Sequence, residues 1–169
     1  MITNDFSTNE HVIFIHGNLS DPFDFGDGNP VFSAALGIEK SDVEQTENVR
    51  DKINDTISCF KSEKGIVVPN EDFISPLKDG DIDKVGKDEY KDKYYINAYS
   101  RESDPPVTID LEKNEIDAKS FTSGDTVKCV LSFFGYAHGD KYGVGVRLKG
   151  VKLVRSTSSD SRQRIIDAL

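Results

Sequence analysis

Apolar residues recur at every second position through most of this chain, and at helical spacing only once. Val127, Cys129, Leu131 and Phe133 alternate with Lys128, Ser132, Phe134 and Tyr136, the period-two pattern of a half-buried strand. The same pattern appears in Val31 to Ile38, where Phe32, Ala34, Leu36 and Ile38 share one face. In Tyr94 to Arg101, Tyr95, Asn97, Tyr99 and Arg101 share a face that is aromatic, polar and basic. From Tyr142 to Val154, Val144, Val146 and Leu148 point inward, and Arg147 and Lys149 outward. Gly150 breaks that register, as a glycine-centred bulge or bend does. Shorter strands are expected at His11 to Ile15, ending in a turn at Gly17-Asn18, and at Val107 to Leu111. Between Ser41 and Phe60 the period changes: Ser41 with Glu44 has capping-box spacing, and Val43, Thr46, Val49, Ile53, Ile57 and Phe60 recur at helical intervals. About five to seven strands, one amphipathic helix and no strand–helix–strand alternation predict a mostly β chain, a small barrel or sandwich carrying an inserted helix.

At 169 residues the chain suits one domain with its own core, predicted here to span residues 1–155, with residues 156–169 as a C-terminal tail. Ser20 to Pro30, with its prolines, glycines and aspartates, reads as an exposed loop, and Gly65 to Lys93 as a long excursion from the sheet. No apolar run is long enough to span a bilayer and no signal peptide is apparent, so a cytoplasmic location, without membrane attachment, is expected. Cys59 and Cys129 have no metal-site spacing and read as small buried hydrophobes.

Motifs for chemistry are absent or incomplete. His16-Gly17 follows an apolar strand but no nucleophile elbow accompanies it. Asp24-Phe25-Gly26 spells a kinase triplet without the rest of a kinase. Asp79 to Asp83 places acids as a calcium loop does, but Lys84 and Tyr90 occupy positions that need glycine and glutamate. The three histidines lack zinc-ligand spacing, and Gly143-Val144-Gly145 lacks the third glycine of a nucleotide fingerprint. No catalytic group, cofactor or metal is expected.

Charge is more informative. The net charge is −9, yet residues 1–30 contain Asp5, Glu10, Asp21, Asp24 and Asp27 with no lysine or arginine. Residues 119–155 carry seven basic side chains (Lys119, Lys128, Lys141, Arg147, Lys149, Lys152, Arg155) against Asp125 and Asp140. Such polarised faces let an acidic protein bind a polyanion locally. Aromatic and basic residues of outward parity fall on successive strands: Tyr95, Tyr99 and Arg101; Lys128, Phe134 and Tyr136; Tyr142, Arg147 and Lys149. Rings that stack on unpaired bases beside cations that track phosphates suit single-stranded nucleic acid. The competing expectation is a structural or protein-interaction module that uses the same rings against a partner chain.

The order of several segments resembles the bacteriophage single-stranded DNA-binding proteins. These are Phe32-Ser33-Ala34-Ala35-Leu36-Gly37-Ile38, Lys40-Ser41-Asp42 before the helix, Pro76-Leu77-Lys78-Asp79-Gly80-Asp81, and Tyr94-Tyr95-Ile96-Asn97-Ala98 before Pro105-Pro106-Val107. Ser123-Gly124, Phe133-Phe134-Gly135-Tyr136 and Gly143-Val144-Gly145-Val146-Arg147-Leu148 follow. The resemblance covers most of residues 30–155. It implies an OB-fold barrel, sequence-tolerant binding of displaced strands in phage replication and recombination, and no catalysis. Phage DNA polymerase, recombination proteins and a further copy of the chain stand as candidate partners. Family members often end in an acidic recruiting tail, whereas Arg162 to Leu169 holds one acid; either the full gene product is longer, or the acidic first thirty residues take part of that role, in which case deleting residues 1–28 is expected to tighten DNA binding at low salt.

Overall fold

The structure, a computed structural model, describes residues 5–157 and 165–169. Eight strands and one long helix account for most of them. The strands are β1 (Asp5–Ser7), β2 (Val12–Phe23), β3 (Val31–Glu39), β4 (Lys78–Asp79), β5 (Lys93–Arg101), β6 (Val107–Ile109), β7 (Thr126–His138) and β8 (Lys141–Arg155); α1 is Val43–Lys64 and a short α2 is Gly80–Asp83. All eight strands join one sheet. Pairing runs from β7 to β2, β3, β5 and β8, and β8 pairs with β7 again, so five strands form a closed circuit, the connectivity that a barrel requires. The closing contact between β5 and β8 is parallel and pairs Tyr99 with Arg147. β1 and β6 add to β7 and β8 respectively.

The alternating residues behave as the pattern predicts. Val127, Cys129, Leu131 and Phe133 are buried together with Val144, Val146 and Leu148, and α1 lays Val49, Ile53 and Ile57 on them. β7 and β8 form a hairpin around the two-residue turn Gly139-Asp140, with Gly139 at φ 63°. Their ladder shifts by one residue between Val130/Gly150 and Leu131/Leu148: Lys149 is the extra residue, a bulge beside Gly150 as expected. Asp125, fully buried, locks the start of β7 to the end of β8. Its carboxylate accepts from the Thr122 amide at 2.8 Å, the Thr157 amide at 2.8 Å and the Thr157 hydroxyl at 2.9 Å.

Several local expectations are corrected. Gly17-Asn18 is not a turn: β2 runs on to Phe23, and Gly17 is where β3 crosses so closely that a Cβ would stand 2.2 Å from the Ser33 carbonyl oxygen. The helix is capped by Asp42, not Ser41, through the Gln45 amide, and it stops at Gly65 in the left-handed conformation. Val43 lies outside its buried face, and Cys59 is exposed; only Cys129 is buried. The strand after Pro106 ends at Ile109. The excursion at 65–93 returns to the sheet, since β4 pairs with β5. Its acidic stretch is clamped by Lys40, whose Nζ lies 2.8 Å from Asp79 and 2.7 Å from Asp81. These contacts hold both carboxyls below the usual range and the amine above its own. The N-terminal thirty residues are no detachable acidic arm: Val12, Phe14, Ile15 and Leu19 of β2 are core residues, so deleting residues 1–28 removes a central strand. Of the tail expected at 156–169, residues 158–164 lie outside the described residues and residues 165–168 are helical. No helix among the described residues is long and apolar enough to cross a membrane.

Candidate nucleic-acid interface

Where β5 meets β8 the sheet opens into a groove of about 390 Å³. Tyr99 and Arg147, register partners, form its floor. Phe134 and Tyr136 form one wall. Ile74, Ser75, Pro76 and Lys78 line the other side, the segment being held to β8 by the Ile74 amide donating to Tyr142 at 2.9 Å and the Val144 amide donating to Ile74 at 3.0 Å. Arg101 also lines it.

The wall rings are seated by glycines. Phe134 is the cross-strand partner of Gly145 and Tyr136 of Gly143. A Cβ on Gly145 would lie 2.4 Å from the Phe134 ring, and one on Gly143 would lie 2.4 Å from the Tyr136 hydroxyl. The Gly-Val-Gly sequence is thus a pair of flat places on β8 that receive two aromatic rings from β7. The Arg147 guanidinium stands 5.2 Å from the Phe134 centroid, within cation–π range, which orients the cation in the groove.

The groove differs in charge from the molecule around it. Its lining includes Lys78, Arg101 and Arg147 and not one carboxylate, in a chain of net charge −9. Half-exposed rings and three cations with no acid are what an unpaired polyanionic strand requires: faces for bases, and fixed positive charge for phosphates. Among the described residues no group of three or more His, Cys, Asp or Glu is placed to hold a metal ion.

The structure gathers five of the nine sequence-predicted residues here: Tyr99, Arg101, Phe134, Tyr136 and Arg147. Four lie elsewhere. Tyr95 is only 3% exposed. α2 and residues 88–90 fold back over that end of β5, so Tyr95 meets Tyr90 edge-on at 5.0 Å and donates to Asp83 at 3.3 Å. Burial, with Asp83 adding to it, pushes its hydroxyl up to about 12. Tyr142 shares the parity of Val144 and packs on Phe73 at 5.6 Å, as part of the core margin. Lys128 and Lys149 face outward as expected but line a separate depression beside Val107.

Lys78 also lines the groove, although nothing local in the long excursion marks its return to the sheet beside β5. Phe25 was also missed. Its ring meets Tyr99 edge-on at 6.1 Å and Phe23 at 4.8 Å. The signal was present in the sequence: two aromatics in a Pro, Gly and Asp-rich loop have no local core to enter.

The family model for the Enterobacter phage Enc34 ssDNA-binding protein matches residues 7–161. Among solved structures, the single-stranded DNA-binding protein of bacteriophage Enc34 in complex with ssDNA aligns at TM-score 0.76 and 20% identity, covering 90% of this chain and 87% of that one. Its C-terminally truncated form aligns at 0.72 and 20% identity, covering 90% and 86%. The gp2.5 single-stranded DNA-binding protein of bacteriophage T7 aligns at 0.65 and 14% identity, covering 93% and 94%. At such identities these likenesses concern the fold. No curated protein sequence matches this chain at a significant level.

Proposed function

The chain belongs to the family of the Enterobacter phage Enc34 ssDNA-binding protein, and from that membership we propose that it binds single-stranded DNA in phage DNA replication and recombination through the Tyr99–Arg147 groove. The observation that carries this reading is the groove's composition: Tyr99, Phe134 and Tyr136 beside Lys78, Arg101 and Arg147, without a carboxylate.

Each base stacked on a ring is worth about 1–3 kcal/mol and the contact is indifferent to base identity, because every base has a π face. Lysine and arginine displace the counterions of the backbone phosphates, which makes affinity fall with salt. Duplex DNA hides its base faces, so the groove favours displaced strands. The role is binding and protection without catalysis, in the host cytoplasm, with replication and recombination proteins as partners and residues 1–155 as the binding domain. Tyr95 and Tyr142 support the sheet and do not touch the strand, and Lys128 and Lys149 lie outside the groove.

Fluorescence anisotropy of a labelled oligo-dT, titrated across salt beside a duplex and an RNA of equal length, tests this. Three phosphate contacts give a log–log salt slope of about −2 for a single strand. Because the chain has no tryptophan, tyrosine quenching in the same samples reports stacking. Oligo-dT affinity no greater than duplex affinity, or binding without quenching, overturns the reading.

A further inference from the structure

We propose that the acidic, aromatic tip of the β2–β3 hairpin of one copy docks in the lysine-rimmed depression between β6, β7 and β8 of a second copy.

The depression, about 410 Å³, is distinct from the groove. Its floor is aliphatic: Val107 is 55% exposed, with Ile109 and Val130 beside it. Lys113, Lys128, Lys149 and Lys152 stand around it. Lys152 is paired with Glu10 at 3.2 Å; among the described residues the other three make no ion pair. No aromatic residue or arginine lines it, so it offers nothing on which a base could stack. An exposed aliphatic floor with a cationic rim asks for an occupant that brings apolar side chains and carboxylates together.

The chain itself carries such a segment. At the hairpin tip Phe23 and Phe25 are 51% and 60% exposed. Asp21, Asp24 and Asp27 surround them, and no lysine or arginine occurs in residues 1–30. Those carboxylates repel phosphates, so the outer faces of these rings suit a protein surface better than a nucleic acid. Asp24 accepts from the Gly26 amide at 2.8 Å and the Gly28 amide at 3.1 Å, which sets the tip's shape before contact and lowers the ordering cost of docking. Phe25 is held against Tyr99 of its own copy at 6.1 Å; the proposed contact is between copies and joins unlike patches.

The test is sedimentation of the full chain with two charge reversals, all at exposed or half-exposed positions: Asp21→Lys with Asp27→Lys at the tip, and Lys128→Glu with Lys149→Glu at the depression. The wild type is expected to self-associate at about 50 mM salt and to dissociate at about 500 mM, where the Debye length is roughly halved or less. Each reversed protein is expected to self-associate at least about tenfold more weakly. An equimolar mixture of the two is expected to recover association, because the reversed tip then meets the reversed depression. A wild type that stays monomeric at low salt, or a mixture that behaves as its separate components do, overturns the proposal. Oligo-dT binding is measured in parallel, so loss of association with strand binding intact is read separately from failure of the groove.

Discussion

The ring of Phe134 lies directly over Gly145, its cross-strand partner, so closely that a Cβ at position 145 would stand 2.4 Å from the ring's Cζ. A glycine on β8 therefore sets the position of a ring on β7, and with it the wall of the groove.

Gly145→Ala should move that ring outward and weaken oligo-dT binding about fivefold, the loss expected when one stack of about 1 kcal/mol is spoiled. Because Phe134 is half-exposed, the thermal midpoint should change by no more than a few degrees. Anisotropy and thermal denaturation of the same protein separate the two effects, and unchanged affinity would place the strand away from Phe134.

Arg147 contributes both charge and orientation. Arg147→Ala should lower the magnitude of the salt slope by about 0.7, one phosphate contact on a single strand. Arg147→Lys should keep the slope and still bind more weakly, since a lysine ammonium lacks the planar guanidinium that faces Phe134. Titrations at four or five salt concentrations for the three proteins decide it.

Tyr95 predicts an alkaline loss of stability. Its hydroxyl ionises near 10.0 when exposed and at about 12 in the folded chain, raised by burial and by Asp83. A group whose folded value is raised stabilises fully below its unfolded value and loses that stabilisation as pH rises toward the folded one. The denaturant midpoint should therefore fall between pH 10 and pH 12. Tyr95→Phe should flatten that fall, with the remainder shared by Tyr90 and Cys129, which burial raises, and by Lys40, which Asp79 and Asp81 raise. A profile identical to wild type would mean that Tyr95 is not buried.

Asp125 is a stability residue despite its position in the basic half of the chain. Asp125→Ala leaves the Thr122 and Thr157 amides and the Thr157 hydroxyl without their acceptor and should cost about 2–4 kcal/mol. Urea denaturation at neutral pH measures this. Asp125→Asn, which retains one acceptor oxygen, should recover part of the loss.

Periodicity alone determined a good share of this molecule. The inward set Val127, Cys129, Leu131 and Phe133, the buried face Val49, Ile53 and Ile57 of the helix, the outward Arg147 and the bulge beside Gly150 all follow from side-chain alternation, which acts between near neighbours and is written in order along the chain. Tertiary structure decided which outward faces stay uncovered. Tyr95 and Tyr99 have the same parity on one strand, yet the fold-back of residues 80–90 seals the first in contact with Tyr90 and leaves the second open in the groove. Arg147 and Lys149 also share parity, but the parallel contact with β5 puts one in the groove, and the addition of β6 puts the other in the depression. Phe25 reaches Tyr99 only because β2 and β3 extend together beyond Gly17. Coverage depends on segments distant in sequence packing over a strand, and no local pattern in the strand records which of them arrive.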